Sequence, residues 1–345
     1  MPLLGHLLGL LMFIVSTISH HSCRPDKIRK IILAGSDVLR YNFTYGAQEQ
    51  NIRLMKKAMK IKEDLNSSVK FLADLPSPRV GLGDFSPKNF AVKAGQKLIF
   101  RSAVASPNCH KFVPVDVAKL GEKTYAEQTI FLGDGEVAIQ VIEIINDETI
   151  RVRVLNNGHL EAHRGFYLNQ ALDKDAFLSA CKNLIKKLAR FKPHYLALSY
   201  IDEEINAELL NWMPKNWRPK IVVKIENQAG IDNCVKICQN NAYYALMLDR
   251  GELGVNLPFE RLGVLQKEVT ALAKKHGKPV MVSTQILEST INNYIPNRSD
   301  ILDLTNLVLD EVDGIMLCRE TDIGTRPAYA ISIAKKIIVE TEKHK

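Results

Sequence analysis

The sequence predicts an α/β fold: a (β/α)8 barrel with a small all-β domain inserted after its third strand. Two observations predict the barrel. Eight short apolar, β-branched runs recur near residues 12–18, 37–43, 69–74, 195–200, 220–226, 243–249, 279–284 and 313–318. Stretches with apolar residues at three- and four-residue steps follow most of them, at 47–64, 172–190, 259–276 and 327–343. Alternating strand and helix patterns of this kind pack as a parallel sheet covered by helices. A third observation predicts the insertion. Between about 82 and 167 the helical period disappears, and short alternating runs ("KLIFRSAV", "QTIFLGDGEVAIQVIEI", "TIRVRVLNNGHLEAHRG") take its place. The Gly-Asp-Gly and Asn-Asn-Gly punctuation reads as hairpin turns. The expected organisation is therefore barrel over 1–81, inserted β-barrel-like lid domain over 82–167, and barrel again over 168–345.

The first run is the ambiguous one. "MPLLGHLLGLLMFIVSTISHHS" has the look of a leader or anchor, yet no Lys or Arg precedes its apolar part and the first is Arg24. A secretory leader needs a charged start, and a spanning helix needs a longer run. The β-branched end, Phe13 to Ile18, reads instead as a buried strand. A cytoplasmic protein without a membrane partner is expected, with a targeting role for residues 1–11 left open. A membrane-tethered structural protein using residues 1–18 as an anchor is the competing reading.

The 345 residues are 46% hydrophobic, enough for one large core or two domains. Basic residues exceed acidic ones, 46 against 38, for a net charge of +8 and a pI near 9.0. Such a balance suits anionic partners. The cations are scattered as pairs on helical faces (Lys56-Lys57, Lys186-Lys187, Lys274-Lys275), without an arginine-rich or aromatic-interleaved run, which argues against nucleic acid. Six cysteines lack zinc-site spacing and read as free thiols.

Active sites of parallel barrels form at the C-terminal ends of the strands. Those ends carry Arg40 and Asn42, Asp74, Lys224 and Glu226, Asp249, Arg250 and Glu252, Thr284 and Gln285, and Glu320 and Thr321. In "IVVKIENQAG" (221–230), Lys224 and Glu226 are two apart and point to one side of their strand. Taken alone they are a surface ion pair at a strand end. Taken with the other rims they read as a site. Glu226 and Glu252, from adjacent strands, can share a hard divalent cation such as Mg2+ or Mn2+, with substrate phosphates completing the shell. Lys224 beside them can stabilise a transferring group or an enolate. The start of "DRGELG" (249–254) offers backbone N–H groups to an anion.

At these residues the sequence resembles the pyruvate kinase family. "IVVKIENQAG", "MLDRGELGV", "GKPVMVSTQILEST", "PNRSDILDLTNLVLDEVDGIML" and "RETDIG" follow that family's order and spacing, and "IVSTISHHS", "AGSDVLRYNFTYG", "FLADLPSPRVGLG", "GDGEV" and "HRGFYLN" extend the likeness over roughly 12–343. The resemblance implies a TIM-type barrel with a lid. It implies Mg2+-dependent transfer of a phosphoryl group between phosphoenolpyruvate and ADP, giving pyruvate and ATP. Lys224, Thr284 and Arg40 take catalytic roles in that family. Arg250, Gly251 and Glu252, with Thr284 and Lys224, take the substrate, and Arg40, Asn42 and Arg164 the nucleotide. Glu226 and Glu252 take the metal. Asn42, Thr44, Asp74 and Leu75 correspond to the monovalent-cation site. A homo-oligomer through the barrel is compatible with the family.

The departures are specific. Glu252 stands for an aspartate, and Asp249 adds a carboxylate beside it. Pro76 stands for a lysine, Gly81 for an arginine, Tyr45 for a histidine, and Cys318-Arg319 for Ser-Gly. Leu75 and Arg79 stand where potassium-dependent members carry Thr and Glu. Arg79 then supplies the positive charge, and independence of K+ is expected. The chain stops after the eighth unit, so no effector site of a C-terminal regulatory domain is expected. Losing two nucleotide-side cations leaves a second reading open: a catalytically weak or inactive barrel that binds phosphoenolpyruvate or a related carboxylate.

Overall fold

The computed structural model describes residues 12–44, 48–77, 79–168 and 173–345. The question of residues 1–11 and the exchange at Tyr45 therefore lie outside the described residues. The chain forms two compact units. One comprises the described residues up to Ser77 with Lys174–Leu253 and Phe259–Lys345. The other comprises those between Pro78 and Asp173 with Gly254–Pro258. The expected edges at 82 and 167 thus fall inside the second unit, which also takes up a short segment after the sixth barrel strand.

The first unit is the barrel. Its strands are β1 (Phe13–Thr17), β2 (Val38–Asn42), β3 (Lys70–Asp74), β4 (Tyr195–Ser199), β5 (Lys220–Ile225), β6 (Tyr243–Asp249), β7 (Val280–Ser283) and β8 (Gly314–Leu317). All neighbours are parallel, and the sheet closes through the pairing of β1 with β8. Helices α1 (Pro25–Leu33), α2 (Gln48–Asp64), α3 (Lys174–Leu188), α4 (Glu203–Asn211), α5 (Gln228–Asp232), α6 (Cys234–Gln239), α7 (Arg250–Asn256), α8 (Leu262–Lys275), α9 (Arg298–Leu309), α10 (Arg319–Asp322) and α11 (Pro327–Glu342) connect them. The long helices are amphipathic, and α2 buries Ile52, Leu54, Met55, Ala58 and Ile61, a stripe at three- and four-residue steps. Pro25 and Pro327 open α1 and α11, where a missing N–H costs nothing.

The barrel interior is filled by Val15, Val38, Leu72, Tyr195, Ala197, Val222, Ala245, Met247, Met281 and Met316. Side chains alternate along a strand, so the residue two further on each strand continues the same inward face. Those residues are Thr17, Arg40, Asp74, Ser199, Lys224, Asp249, Ser283 and Cys318. All eight strands thus change from an apolar interior to a polar layer at their C-terminal ends. This step is the structural origin of the site.

The second unit is built on a seven-stranded sheet. Its order is Val80–Gly81, Gly165–Phe166, Thr129–Leu132, Val137–Asn146, Thr149–Val154, Lys97–Ser102 and Val113–Val115. Phe100, Ile130, Ile139, Val152 and Phe166 lie in its buried core. The Gly133-Asp134-Gly135 turn joins a true antiparallel hairpin. The Asn-Asn-Gly segment does not: the strand after it, Gly158–Glu161, pairs with Asn89–Val92. The reason lies in the asparagine side chains. Asn156 accepts from the Ala138 N–H and donates to the Glu136 carbonyl, and Asn157 accepts from the Ala94 N–H. They tie neighbouring strands together in place of closing a two-residue turn. The hairpin in that region turns at Asp147-Glu148, where Asn146 pairs with Thr149. Phe100 is fully buried with its ring 5.7 Å from that of Phe166. Phe100→Ala should destabilise this unit by about 3–5 kcal/mol, read as a lower denaturant midpoint for the fluorescence or exchange signals of residues 79–168.

Candidate active site

Lys224 and Glu226 point the same way, as their spacing required, but they are not at the surface. Only 3% of Lys224 and 4% of Glu226 is exposed, and the ammonium lies 3.3 Å from Glu226 Oε2. Lys224 Nζ also lies 3.1 Å from Asp74 Oδ1. Arg40 holds the other oxygen of Asp74 through Nε at 3.0 Å and Nη2 at 2.6 Å, and donates from Nη1 to Thr17 Oγ1 at 3.2 Å. Two cations and two carboxylates from β2, β3 and β5 therefore form one buried chain, Arg40–Asp74–Lys224–Glu226.

The charges sustain one another. Burial works against the Lys224 ammonium, but Asp74, Glu226 and Asp249 outweigh it and raise its pKa. Arg40 behaves likewise, with Asp74 the main opposing charge. Burial pushes the Asp74 carboxyl up, while Lys224 and Arg40 pull harder and leave it below its usual value. The field of Asp249 reaches both cations and Cys318, so the ends of β2, β5, β6 and β8 share one electrostatic site. Burial raises the Cys318 thiol to about 12, which keeps it protonated and unreactive at neutral pH.

A hydroxyl missed in the sequence completes the network. Ser77 Oγ accepts from Lys224 Nζ at 2.8 Å and from Ser199 Oγ at 3.1 Å, and donates to Glu226 Oε1 at 3.0 Å. Its backbone N–H donates to Thr44 Oγ1, and the Thr44 N–H donates to Asn42 Oδ1. One donor and two acceptor positions saturate a hydroxyl, so Ser77 fixes the lysine and the glutamate relative to each other. Nothing in a loop serine's spacing signals this. Ser199 and Thr17, by contrast, follow from strand alternation. Ser77→Ala should cost about 1–3 kcal/mol through the unsatisfied buried partners, measurable as a shift in the urea midpoint.

At the ends of β6 and β7, Thr284 Oγ1 donates to Asp249 Oδ1 at 3.0 Å, and the Gly251 N–H donates to the same oxygen at 3.2 Å. One amide expected to face an anion is thus covered by the protein's own carboxylate. A Cβ on Gly251 would stand 3.1 Å from Thr284 Cγ2, so glycine permits the close approach. The Arg250 side chain turns to protein acceptors: the carbonyls of Thr284 and Gln285, the side chains of Asp303 and Gln266. Glu252 is half-buried in the first turn of α7.

Other sequence-predicted residues are placed as follows. Leu75 is buried at 1% and offers no side-chain oxygen to a monovalent cation, and Asp74 is occupied by Arg40 and Lys224. Arg164 belongs to the second unit, where it pairs with Glu136 at 2.5 Å and Asp134 at 3.6 Å. Arg79 also belongs to that unit. Glu320 is buried at 2%, accepts from the Leu287 N–H at 3.0 Å, and has its carboxyl raised by burial. A raised folded-state value stabilises at low pH and loses that contribution as pH rises through it. Glu320→Gln should therefore match or exceed the wild-type melting temperature at neutral pH and lack the wild-type decline across the mildly acidic range.

Among the described residues no group of three or more His, Cys, Asp or Glu side chains is arranged to hold a metal ion. The expected pair, Glu226 and Glu252, is an all-oxygen donor set. That chemistry fits a hard divalent cation bound partly by substrate oxygens. All six cysteines are free thiols, and among the described residues no helix is long and apolar enough to cross a membrane.

The chain is similar to known proteins. The chain is 28% identical to the pyruvate kinase of Thermococcus litoralis over 335 residues, covering 96% of this chain and 70% of that one. It is 28% identical to the pyruvate kinase of Thermotoga maritima over 333 residues, covering 96% and 71%. It is 30% identical to that of Buchnera aphidicola subsp. Schizaphis graminum over 342 residues, covering 96% and 69%. Residues 12–331 match the family model for the pyruvate kinase barrel domain. With a closed barrel, a β insertion and a buried Lys–Glu pair at the strand ends, the chain belongs to the pyruvate kinase family.

Proposed function

We propose that the protein transfers a phosphoryl group between phosphoenolpyruvate and ADP, giving pyruvate and ATP, in the cytoplasm and with Mg2+ or Mn2+. The observation that carries this reading is the Lys224 ammonium, buried at the polar end of the barrel and fixed by Asp74, Ser77 and Glu226. A permanently protonated lysine with no room to wander is suited to charge that develops on a transferring phosphoryl group and on the enolate it leaves. Glu226 and Glu252 would hold the divalent ion, which supplies charge neutralisation to the substrate's carboxylate and phosphoryl oxygens when bound. Arg40, anchored by Asp74 and Thr17, presents its charge at the same layer. Thr284, bonded to Asp249 on the strand next to that of Lys224, stands on the side from which the enolate takes its proton in this reading. Independence of K+, with Arg79 supplying the positive charge, is part of this reading.

A second reading has a specific observation behind it. The two arginines expected on the nucleotide are both tied to carboxylates, Arg40 to Asp74 and Arg164 to Glu136 and Asp134. A barrel of this kind binds phosphoenolpyruvate while transferring its phosphoryl group slowly. A lactate-dehydrogenase-coupled assay with ADP, phosphoenolpyruvate and Mg2+ separates the two. The proposed function requires turnover, and the separate expectation of K+ independence requires that this turnover survive replacement of K+ by Na+. Absence of turnover, with Mg2+-dependent thermal stabilisation by phosphoenolpyruvate, assigns the protein to the second reading.

A further inference from the structure

Thr284 and Gln285, directly after β7, both have positive φ, +75° and +55°. Left-handed backbone is unfavourable for a non-glycine residue and most of all for a β-branched one such as threonine. Two such residues in succession need an external hold. Arg250 provides it. Its Nε and Nη2 donate to the Thr284 carbonyl at 3.1 and 2.7 Å, and Nη2 also donates to the Gln285 carbonyl at 3.1 Å. The opposite edge of the guanidinium is gripped by both oxygens of Asp303 on α9, at 2.9 and 2.8 Å from Nη1, with Gln266 Oε1 of α8 at 3.3 Å. Every face of the fork is thereby spent on protein acceptors. The Arg250–Asp303 pair is largely shielded, with 12% and 29% of the two side chains exposed. It is more than a solvent-screened surface contact.

The consequence reaches the barrel rim. With its backbone held this way, Thr284 presents its hydroxyl to Asp249, which also takes the Gly251 N–H. We infer that Asp303 and Arg250 are positioning residues for Thr284: the carboxylate fixes the guanidinium, and the guanidinium locks the two left-handed peptides that aim the hydroxyl. The inference rests on the proposed function for the role of Thr284, and it extends the site outward to a helix whose aspartate reads in sequence as an ordinary solvent-facing residue.

The test has a kinetic arm and a structural arm. In the wild-type background, Asp303→Ala should lower kcat by about 10- to 100-fold with KM for phosphoenolpyruvate within about threefold, because a misaimed group costs rate more than binding. Asp303→Asn, which keeps one acceptor for Arg250 and guards against a folding failure, should recover at least half of the logarithmic loss. In a Thr284→Val background the Asp303→Ala change should cost less than about threefold, since two residues acting through one hydroxyl are not additive. Losses that multiply, or a kcat unchanged by Asp303→Ala, overturn the inference. In the structural arm, a crystal structure of Asp303→Ala should show Arg250 released and the Thr284–Gln285 peptides relaxed toward negative φ, whereas Asp303→Asn should keep the Arg250 contact and both left-handed peptides. Unchanged positive φ at both residues in Asp303→Ala overturns it equally. If the wild type shows no turnover at all, the proposed function falls, and the backbone at 284–285 decides the clamp alone.

Discussion

A Lys224→Met protein is expected to lose about 10²–10³-fold in kcat, the scale of one deleted electrostatic contact to a developing charge. It is also expected to lose about 3–5 kcal/mol of stability, because removing one partner of a buried pair strands the others. The stranded groups are identifiable. Glu226 loses the ammonium beside it and keeps the Ser77 hydroxyl, and Asp74 loses Lys224 and keeps Arg40. The two losses separate experimentally. Acidification neutralises Asp74, which has lost one of the two cations that hold it ionised, so the stability deficit against wild type should narrow as pH falls, while kcat does not recover. Urea unfolding at neutral and acidic pH, beside the coupled assay at neutral pH, reads both. A Lys224→Met protein as stable as wild type would mean that the ammonium is dispensable to the network.

The second large effect is expected at Asp74, the only carboxylate that touches both Arg40 and Lys224 in the chain of ion pairs described. Asp74→Asn leaves two like charges side by side in a buried layer and should cost about 3–5 kcal/mol. It should also change the acid limb of the stability profile in a defined direction. The Asp74 carboxyl is held below its usual value by its two cations, against burial. It therefore contributes stability that is present above the ordinary carboxylate range and is lost as pH falls through its lowered value. The asparagine variant lacks that contribution at neutral pH, so its stability relative to wild type should be worst near neutrality and converge in strong acid. Thermal melts across the acid range show whether the curves approach each other as pH falls.

Much of the barrel was legible because its strands are continuous β-branched runs separated by amphipathic helices, a pattern that leaves few alternatives. The placement of Lys224 and Glu226 followed from two-residue alternation, and alternation applied to every strand also gives Thr17, Ser199 and Cys318. What sequence reasoning missed lies off the strands. Ser77 occupies a loop, where spacing carries no orientation. Asp303 sits in the amphipathic pattern of α9, where a carboxylate looks like a solvated face until Arg250 is seen beside it. Thr284 gives no hint of a left-handed backbone, since threonine avoids one. The Asn-Asn-Gly segment misled for a related reason. Its side chains satisfy distant backbone groups, and a turn dipeptide does not reveal whether its asparagines are spent locally or across strands. The Lys224–Glu226 pair was first legible only as a surface contact, because burial of a strand end depends on what the other seven strands place around it.

The central claim is that Lys224 and Glu226 meet at the barrel mouth to hold an anionic three-carbon acid together with a divalent cation. Anomalous diffraction from crystals of the full chain grown with Mn2+ and phosphoenolpyruvate tests it most directly. The account predicts one manganese peak bonded to the Glu226 carboxylate and to substrate oxygens, with the Lys224 ammonium on the same ligand. A mouth without manganese, with Lys224 still closed on Glu226 and the ligand elsewhere, would contradict it.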